Sequence, residues 1–185
     1  MDDAELRRSL VEVAYLEGDF VLRSGKRSRY YLDKYRFETR PDILRALGVR
    51  IAGAISAHAP DATRIAAPEL GAVALAAAAS LESGLPFVIV RKEAKEYGTG
   101  NRIEGPYDDG ERLCLVEDVV TSGGALLDSV EALRSAGLAV QTAVCVVDRE
   151  EGGADALARK AVRLRPIFRS SDLLEGFKSP AKPHG

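Results

Sequence analysis

The sequence is poor in the residue types that form disulfide frameworks, metal sites and histidine-dependent catalytic centres. It contains no tryptophan, two cysteines and two histidines in 185 residues. Cys114 and Cys145 each lie in an apolar, β-branched run, which favours a buried thiol over a disulfide, a metal ligand or a nucleophile. His58 closes an alanine-rich segment and His184 lies near the end of the sequence, so neither is expected to act as a general base.

An excess of charge of one sign and a long apolar run are also absent. The 26 basic residues nearly balance the 28 acidic ones, so the chain has no global positive field that would hold nucleic acid or an anionic membrane. No apolar run reaches the roughly 18 residues that span a bilayer, and residues 1–5 are too acidic for a targeting segment. We therefore expect a cytoplasmic protein without nucleic-acid or membrane partners, in which any anion is bound locally.

The order of apolar segments indicates an α/β fold. A helical spacing of apolar residues predicts an N-terminal helix that stops at Gly18, and a hairpin follows it. Continuous apolar strands then alternate with helices, which predicts a parallel sheet with helices on both faces. The expected strands are 65–67, 87–90, 113–116, 140–147 and an edge strand at 162–168, with helices at 72–83 and 125–136. We expect one domain over residues 1–177, with a small N-terminal hood formed largely by 1–38, and a disordered tail at 178–185.

The most informative stretch is residues 113–125, which read LCLVEDVVTSGGA. A buried strand leads into Glu117 and Asp118, and a turn of small hydroxyl residues and glycines then opens a helix. Ligands of open α/β sheets bind beyond such strand ends, where glycines and a helix N-terminus favour a phosphate. The two carboxylates would repel a phosphate but suit hydroxyls or a metal, so a sugar phosphate satisfies both halves. The alternative is a solvated strand end followed by an ordinary turn.

This stretch resembles the phosphoribosyl pyrophosphate signature of type I phosphoribosyltransferases, in which the acidic pair is often Asp-Asp. The resemblance implies that the two carboxylates hold the ribose hydroxyls, directly or through Mg²⁺, and that the loop takes the 5-phosphate. The residues implied in donor binding here are Glu117, Asp118, Val119, Val120, Thr121, Ser122, Gly123, Gly124 and Ala125. The motif indicates the superfamily and leaves the accepting base open.

A second segment, residues 91–102, carries four cations, two glycines and almost no large apolar residue. Such a loop is either a functional lid or a solvated basic loop. Its first five residues resemble the catalytic loop of orotate phosphoribosyltransferases, which closes over the neighbouring subunit's site in a homodimer. The resemblance implies donor contacts from Arg91, Lys92, Lys95 and Tyr97, with Lys95 as a catalytic residue at the pyrophosphate. Many members of that family have histidine where this chain has Tyr97.

Two further segments point to the base. Residues 20–31 resemble the hood that covers orotate in that family, and residues 148–152 resemble the segment whose arginine pairs with the orotate carboxylate. A guanidinium fork matches a carboxylate geometrically, although a surface salt bridge after a strand is the plainer interpretation of Arg149. The resemblance implies that Lys26, Thr121 and Arg149 bind orotate.

The resemblance implies the transfer of ribose 5-phosphate from phosphoribosyl pyrophosphate to orotate in pyrimidine synthesis, with Mg²⁺ as cofactor. Catalysis is assigned to Lys95, Glu117 and Asp118. Two alternatives stay open. Another purine or pyrimidine phosphoribosyltransferase would share residues 117–125 but would not need Arg149. A non-catalytic sensor of phosphoribosyl pyrophosphate would keep the loop and append a DNA-binding region, for which no basic helix is seen.

Overall fold

The computed structural model describes residues 1–21, 25, 27–93 and 101–175. In chain order, the elements of these ranges are α1 (Asp3–Ala14), β1 (Tyr15–Val21), β2 (Arg27–Leu32), α2 (Tyr35–Glu38), α3 (Pro41–His58), β3 (Arg64–Pro68), α4 (Gly71–Ser83), β4 (Phe87–Val90), β5 (Ile103–Glu104), β6 (Arg112–Val120), α5 (Gly124–Ser135), β7 (Ala139–Asp148), α6 (Gly153–Ala158), β8 (Arg163–Arg169) and α7 (Ser170–Leu174). No helix in these ranges is both long and apolar enough to cross a bilayer.

The central sheet confirms the predicted parallel architecture. Its strand order is β5-β4-β3-β6-β7-β8, and every pairing is parallel except that of β5 with β4. Helices α1, α3 and α4 cover one face, and α5 and α6 cover the other. Most residues of the central strands are apolar because both faces of these strands are covered, as in β3, where all five residues are buried.

The N-terminal hood contains a helix that is shorter than expected. Helix α1 ends at Ala14, and Gly18 lies inside β1, so the prediction that the helix continues to Gly18 is wrong. The physical reason is a tertiary contact. β1 pairs antiparallel with β2, and the ring of Tyr15 stacks on that of Tyr30 with their centroids 5.6 Å apart. Cross-strand pairing thus overrides the helical spacing of the local sequence.

Two strands also differ from expectation. β6 continues to Val120, so it includes the acidic pair that the sequence placed beyond the strand end. β5 has only two residues, which is too short to give a periodic signal. The edge position of β8 is confirmed. The proposed tail, 178–185, lies outside the described residues, and a single domain over 1–177 stays a prediction.

Candidate active site

The carboxyl ends of four neighbouring strands form one edge of the sheet. In the register of the sheet, Pro68 at the end of β3 pairs with Val90 at the end of β4, and Val120 at the end of β6 pairs with Asp148 at the end of β7. The segments that follow these strands therefore lie at the same edge. Most of the site residues predicted from the sequence belong to these segments.

The turn after β6 has the geometry of a phosphate loop. Thr121 and Ser122 are exposed, and α5 begins at Gly124 without a capping side chain. Gly123 has φ +81°, and a Cβ atom there would lie 3.3 Å from the Cα of Gly153 at the start of α6. A glycine is therefore required both by the backbone conformation and by the close approach of α6. The uncapped N–H groups at the start of α5 are available to a phosphate.

The acidic pair is buried rather than solvated. Glu117 is 7% exposed and Asp118 is 2% exposed, because both lie within β6. The Glu117 carboxylate accepts a hydrogen bond from the Asp118 N–H at 3.0 Å. Burial, followed by the negative charge of Asp118, raises the pKa of Glu117 to about 8. The interpretation of the pair as a solvated strand end is therefore wrong.

Two hood residues that the sequence analysis missed lie beside this pair. The Lys34 Nζ is 2.6 Å from the Asp118 Oδ2. Burial would lower the pKa of Lys34, but the attraction of the Asp118 and Glu117 carboxylates outweighs it, so that pKa is raised. Glu38 in α2 is 4% exposed, and burial followed by the charge of Asp118 raises its pKa to about 8. No local signal marks these residues, since Lys34 lies 84 positions from Asp118 in the chain.

The segment after β3 connects the acidic pair to the start of the predicted lid. A Cβ atom at Gly71 would overlap the Asp118 Oδ2 and lie 2.7 Å from the Lys34 Nζ, so a larger residue there would displace the ion pair. Glu69 accepts a hydrogen bond from the Lys92 N–H at 2.8 Å, and its other carboxylate oxygen lies 3.7 Å from the Arg91 Nε. This segment thus contacts Arg91 through the side chain of Glu69 and Asp118 through the close approach of Gly71.

Arg149 lies at the same edge and contacts the hood. Its N–H donates to the Val120 carbonyl at 2.8 Å, which fixes it beside the phosphate loop. Its side chain is 7% exposed, with the Nε 3.1 Å from a Glu151 carboxylate oxygen and the guanidinium 5.1 Å from the centroid of the Tyr30 ring. This burial contradicts a salt bridge exposed on the surface. The arginine is instead held between the loop and the hood.

The structure thus brings together most of the residues that the sequence analysis selected. Those at the edge are Arg91, Lys92, Glu117, Asp118, Val119, Val120, Thr121, Ser122, Gly123, Gly124, Ala125 and Arg149. Val120 packs its side chain in the core, and its carbonyl accepts the N–H of Arg149. Lys26, Lys95 and Tyr97 lie outside the described residues. Within the described ranges, no group of three or more histidine, cysteine or acidic side chains is arranged to hold a metal ion.

The two cysteines conform to expectation. Both are free and fully buried. Burial raises the pKa of the Cys114 thiol to about 12 and raises that of Cys145 well above its usual value. Neither side chain is therefore a candidate nucleophile.

Known proteins resemble this chain over most of its length. The family described as "Phosphoribosyl transferase domain" matches residues 43–165. The orotate phosphoribosyltransferase of Methanocella arvoryzae is 49% identical over 177 residues, which cover 95% of this chain and 99% of that protein.

Solved structures show the same relationship. The UMP synthase of Leishmania donovani superposes with a TM-score of 0.84 at 33% identity, and the match covers 95% of this chain and 38% of that one. The orotate phosphoribosyltransferase of Mycobacterium tuberculosis, in complex with 5-phospho-α-D-ribosyl 1-diphosphate, superposes with a TM-score of 0.77 at 29% identity and covers 94% of this chain and 99% of that one.

Proposed function

Because the chain belongs to the phosphoribosyltransferase family, and within it to the orotate phosphoribosyltransferases, we propose that it transfers the ribose 5-phosphate of phosphoribosyl pyrophosphate to orotate at the carboxyl edge of its sheet. The products are orotidine 5′-monophosphate and pyrophosphate. The observation that carries this proposal is the position of Arg149, whose buried guanidinium lies beside the phosphate loop and beneath a hood tyrosine.

The sugar donor is bound by the carboxyl end of β6 and by the turn that leads from β6 into α5. The N–H groups at the start of α5 and the hydroxyls of Thr121 and Ser122 bind the 5-phosphate. Glu117 and Asp118 accept hydrogen bonds from the ribose hydroxyls, since carboxylates are acceptors. The 5-phosphate, which these carboxylates would repel, is bound a few residues further along the chain. Val119, Val120, Gly123, Gly124 and Ala125 complete the loop through their backbone.

The base is bound between this loop and the hood. The Arg149 guanidinium binds the orotate carboxylate, with Thr121 and Lys26 as further contacts. Orotate enters as an anion, so the base nitrogen needs no strong general base. This agrees with a site built without histidine or reactive cysteine.

Transfer displaces pyrophosphate from the anomeric carbon and breaks its bond to oxygen as the bond to the base nitrogen forms. Positive charge develops on the ribose and negative charge on the leaving group. The acidic pair stabilises the first, and Arg91, Lys92 and Lys95 stabilise the second, with Tyr97 as a hydrogen-bond donor. Closure of the lid excludes water that would otherwise hydrolyse the activated sugar.

Magnesium fits this donor set as an ion carried by the substrate. Mg²⁺ is commonly held by one or two carboxylates together with substrate phosphates, and the edge offers the two carboxylates of Glu117 and Asp118. The bound ion would neutralise charge on the pyrophosphate. We further propose a homodimer in which the segment that contains Lys95 closes over the partner's site.

The proposal is tested by Arg149→Lys. A point ammonium cannot reproduce a bidentate fork, so the dissociation constant for orotate should rise by about tenfold or more, while that for the sugar donor changes little. Binding of each substrate is measured by calorimetry. The matched control is Arg112→Lys at the opposite edge, where the arginine Nε lies 3.0 Å from Asp61, and both affinities should be kept there. Equal losses for both substrates in Arg149→Lys would remove this residue from base recognition.

A further inference from the structure

Both oxygens of the Asp118 carboxylate have a partner in the described arrangement. Its Oδ1 accepts the N–H of Val119, and its Oδ2 contacts the ammonium of Lys34 at 2.6 Å. Its side chain is only 3% exposed, and Gly71 lies directly against the Oδ2. Lys34 and Gly71 together cover this oxygen, so a ribose hydroxyl that binds it must compete with the ion pair.

The Lys34 side chain is placed so that it can move away from Asp118. It precedes α2, in the hood, and its side chain is 30% exposed, whereas its partner is buried in β6. The carboxylate is anchored by the sheet, so the lysine is the member of the pair that can move. No predicted contact with the sugar or the base requires this lysine.

We propose that Lys34 is a resident counter-ion of Asp118 that the sugar phosphate displaces when it binds, so that the ion pair holds the carboxylate before the donor binds and lowers affinity for the donor. This inference rests on the proposed function, because it takes Asp118 as the acceptor of the ribose hydroxyls. Lys34 is a positioning residue that acts through Asp118.

The proposal predicts a gain of affinity on removing the lysine. A buried carboxylate without a counter-ion is unfavourable, and a ligand that brings hydroxyl donors relieves this cost. The free protein should therefore become less stable, while binding no longer has to break an ion pair. A side chain with a purely structural role would lose stability without gaining affinity.

The experiment uses Lys34→Met and Lys34→Arg in the full chain, with ribose 5-phosphate as the probe. Calorimetry with and without Mg²⁺ should show binding to Lys34→Met that is about tenfold tighter than to wild type, as expected for one hydrogen bond to a charged group. Lys34→Arg keeps the charge and should bind as wild type does. In the Asp118→Asn background, Lys34→Met should have no further effect on binding.

The control is Arg50→Met, which removes another ion pair of 2.6 Å, between Arg50 and Asp3, at a position outside the site. It should leave the affinity for ribose 5-phosphate unchanged. If Lys34→Met does not fold, Lys34→Gln takes its place and should also bind more tightly than wild type. Unchanged or weaker binding in the folded variant overturns the inference.

Failure of the inference is distinct from failure of the proposed function. If wild-type protein converts orotate but Lys34→Met binds ribose 5-phosphate no better, only the role of Lys34 is overturned. If wild-type protein neither binds ribose 5-phosphate nor uses orotate, the proposed function falls, and the inference with it.

Discussion

At the scale of single residues, the site contains several acidic side chains that are buried. Glu38, Glu117 and Asp118 are all buried, and Lys34 forms an ion pair with the last of them. Burial of several carboxylates is unfavourable unless some are neutral, because each charge would lose its hydration. The raised pKa values of Glu38 and Glu117, each about 8, mean that burial favours the neutral form of both carboxyl groups before the sugar donor binds.

From the burial of a neutral Glu38 we predict that the unfolding free energy falls as pH rises. The pKa of Glu38 rises from 4.5 to about 8 on folding, so between these values the folded protein binds more protons than the unfolded chain. The contribution of protonated Glu38 to the unfolding free energy is complete below pH 4.5. It is lost as pH rises towards 8, by up to about 1.4 kcal/mol per pH unit.

Urea unfolding at several pH values in this range measures that slope. Glu38→Gln cannot lose the proton, so its unfolding free energy should decline less steeply with pH than that of wild type. The exposed Glu12→Gln serves as the control and should keep the wild-type slope. The same slope in Glu38→Gln and wild type would contradict burial of a neutral Glu38.

At the scale of elements, the start of α5 carries the phosphate site, and Gly123 tests it. Gly123→Ala places an alanine at φ +81° and brings its Cβ to 3.3 Å from Gly153. We expect the unfolding free energy to fall by about 1–2 kcal/mol and ribose 5-phosphate binding to weaken, because the turn must shift. Chemical denaturation and calorimetry measure the two effects.

A matched variant separates backbone strain from the phosphate site. Gly84 is the C-cap residue that follows α4, with φ +74°, and a Cβ there would meet nothing within 4 Å. Gly84→Ala should therefore lose stability without losing ribose 5-phosphate binding. Equal binding by Gly123→Ala and wild type would show that the turn does not hold the phosphate.

The sequence predicts elements where local periodicity and tertiary packing agree. Strand β4 has the predicted bounds, and α4 begins one residue earlier than predicted. The predicted end of α1 was wrong because the pairing of β1 with β2 outweighs the helical spacing of the local sequence. Lys34 and Glu38 could not be found, since their burial depends on β6, which is distant in the chain and brought near only by folding.

At the scale of the whole molecule, the proposed homodimer predicts recovery of activity on mixing two inactive variants. Lys95→Ala and Asp118→Asn should each be nearly inactive. If Lys95 acts on the partner's site, a mixed dimer has one site with both lesions and one with neither. With random exchange, activity should approach about one quarter of wild type.

Native mass measurement establishes whether the subunits have exchanged, and the rate of orotate loss gives the activity. A mixture of wild type with Asp118→Asn provides the reference for exchange without complementation. Confirmed exchange without recovered activity would mean that Lys95 acts within its own chain or not at this site.

The most direct test of the central claim is the stoichiometry of the wild-type reaction with Mg²⁺ and phosphoribosyl pyrophosphate. Orotate loss is followed by absorbance, and pyrophosphate is quantified in the same samples, with adenine, hypoxanthine and uracil as competing bases. We predict that pyrophosphate and orotidine 5′-monophosphate form in equal amounts and that orotate is the base consumed. Pyrophosphate release with orotate unchanged, or preferential consumption of another base, would contradict an orotate phosphoribosyltransferase site at this edge of the sheet.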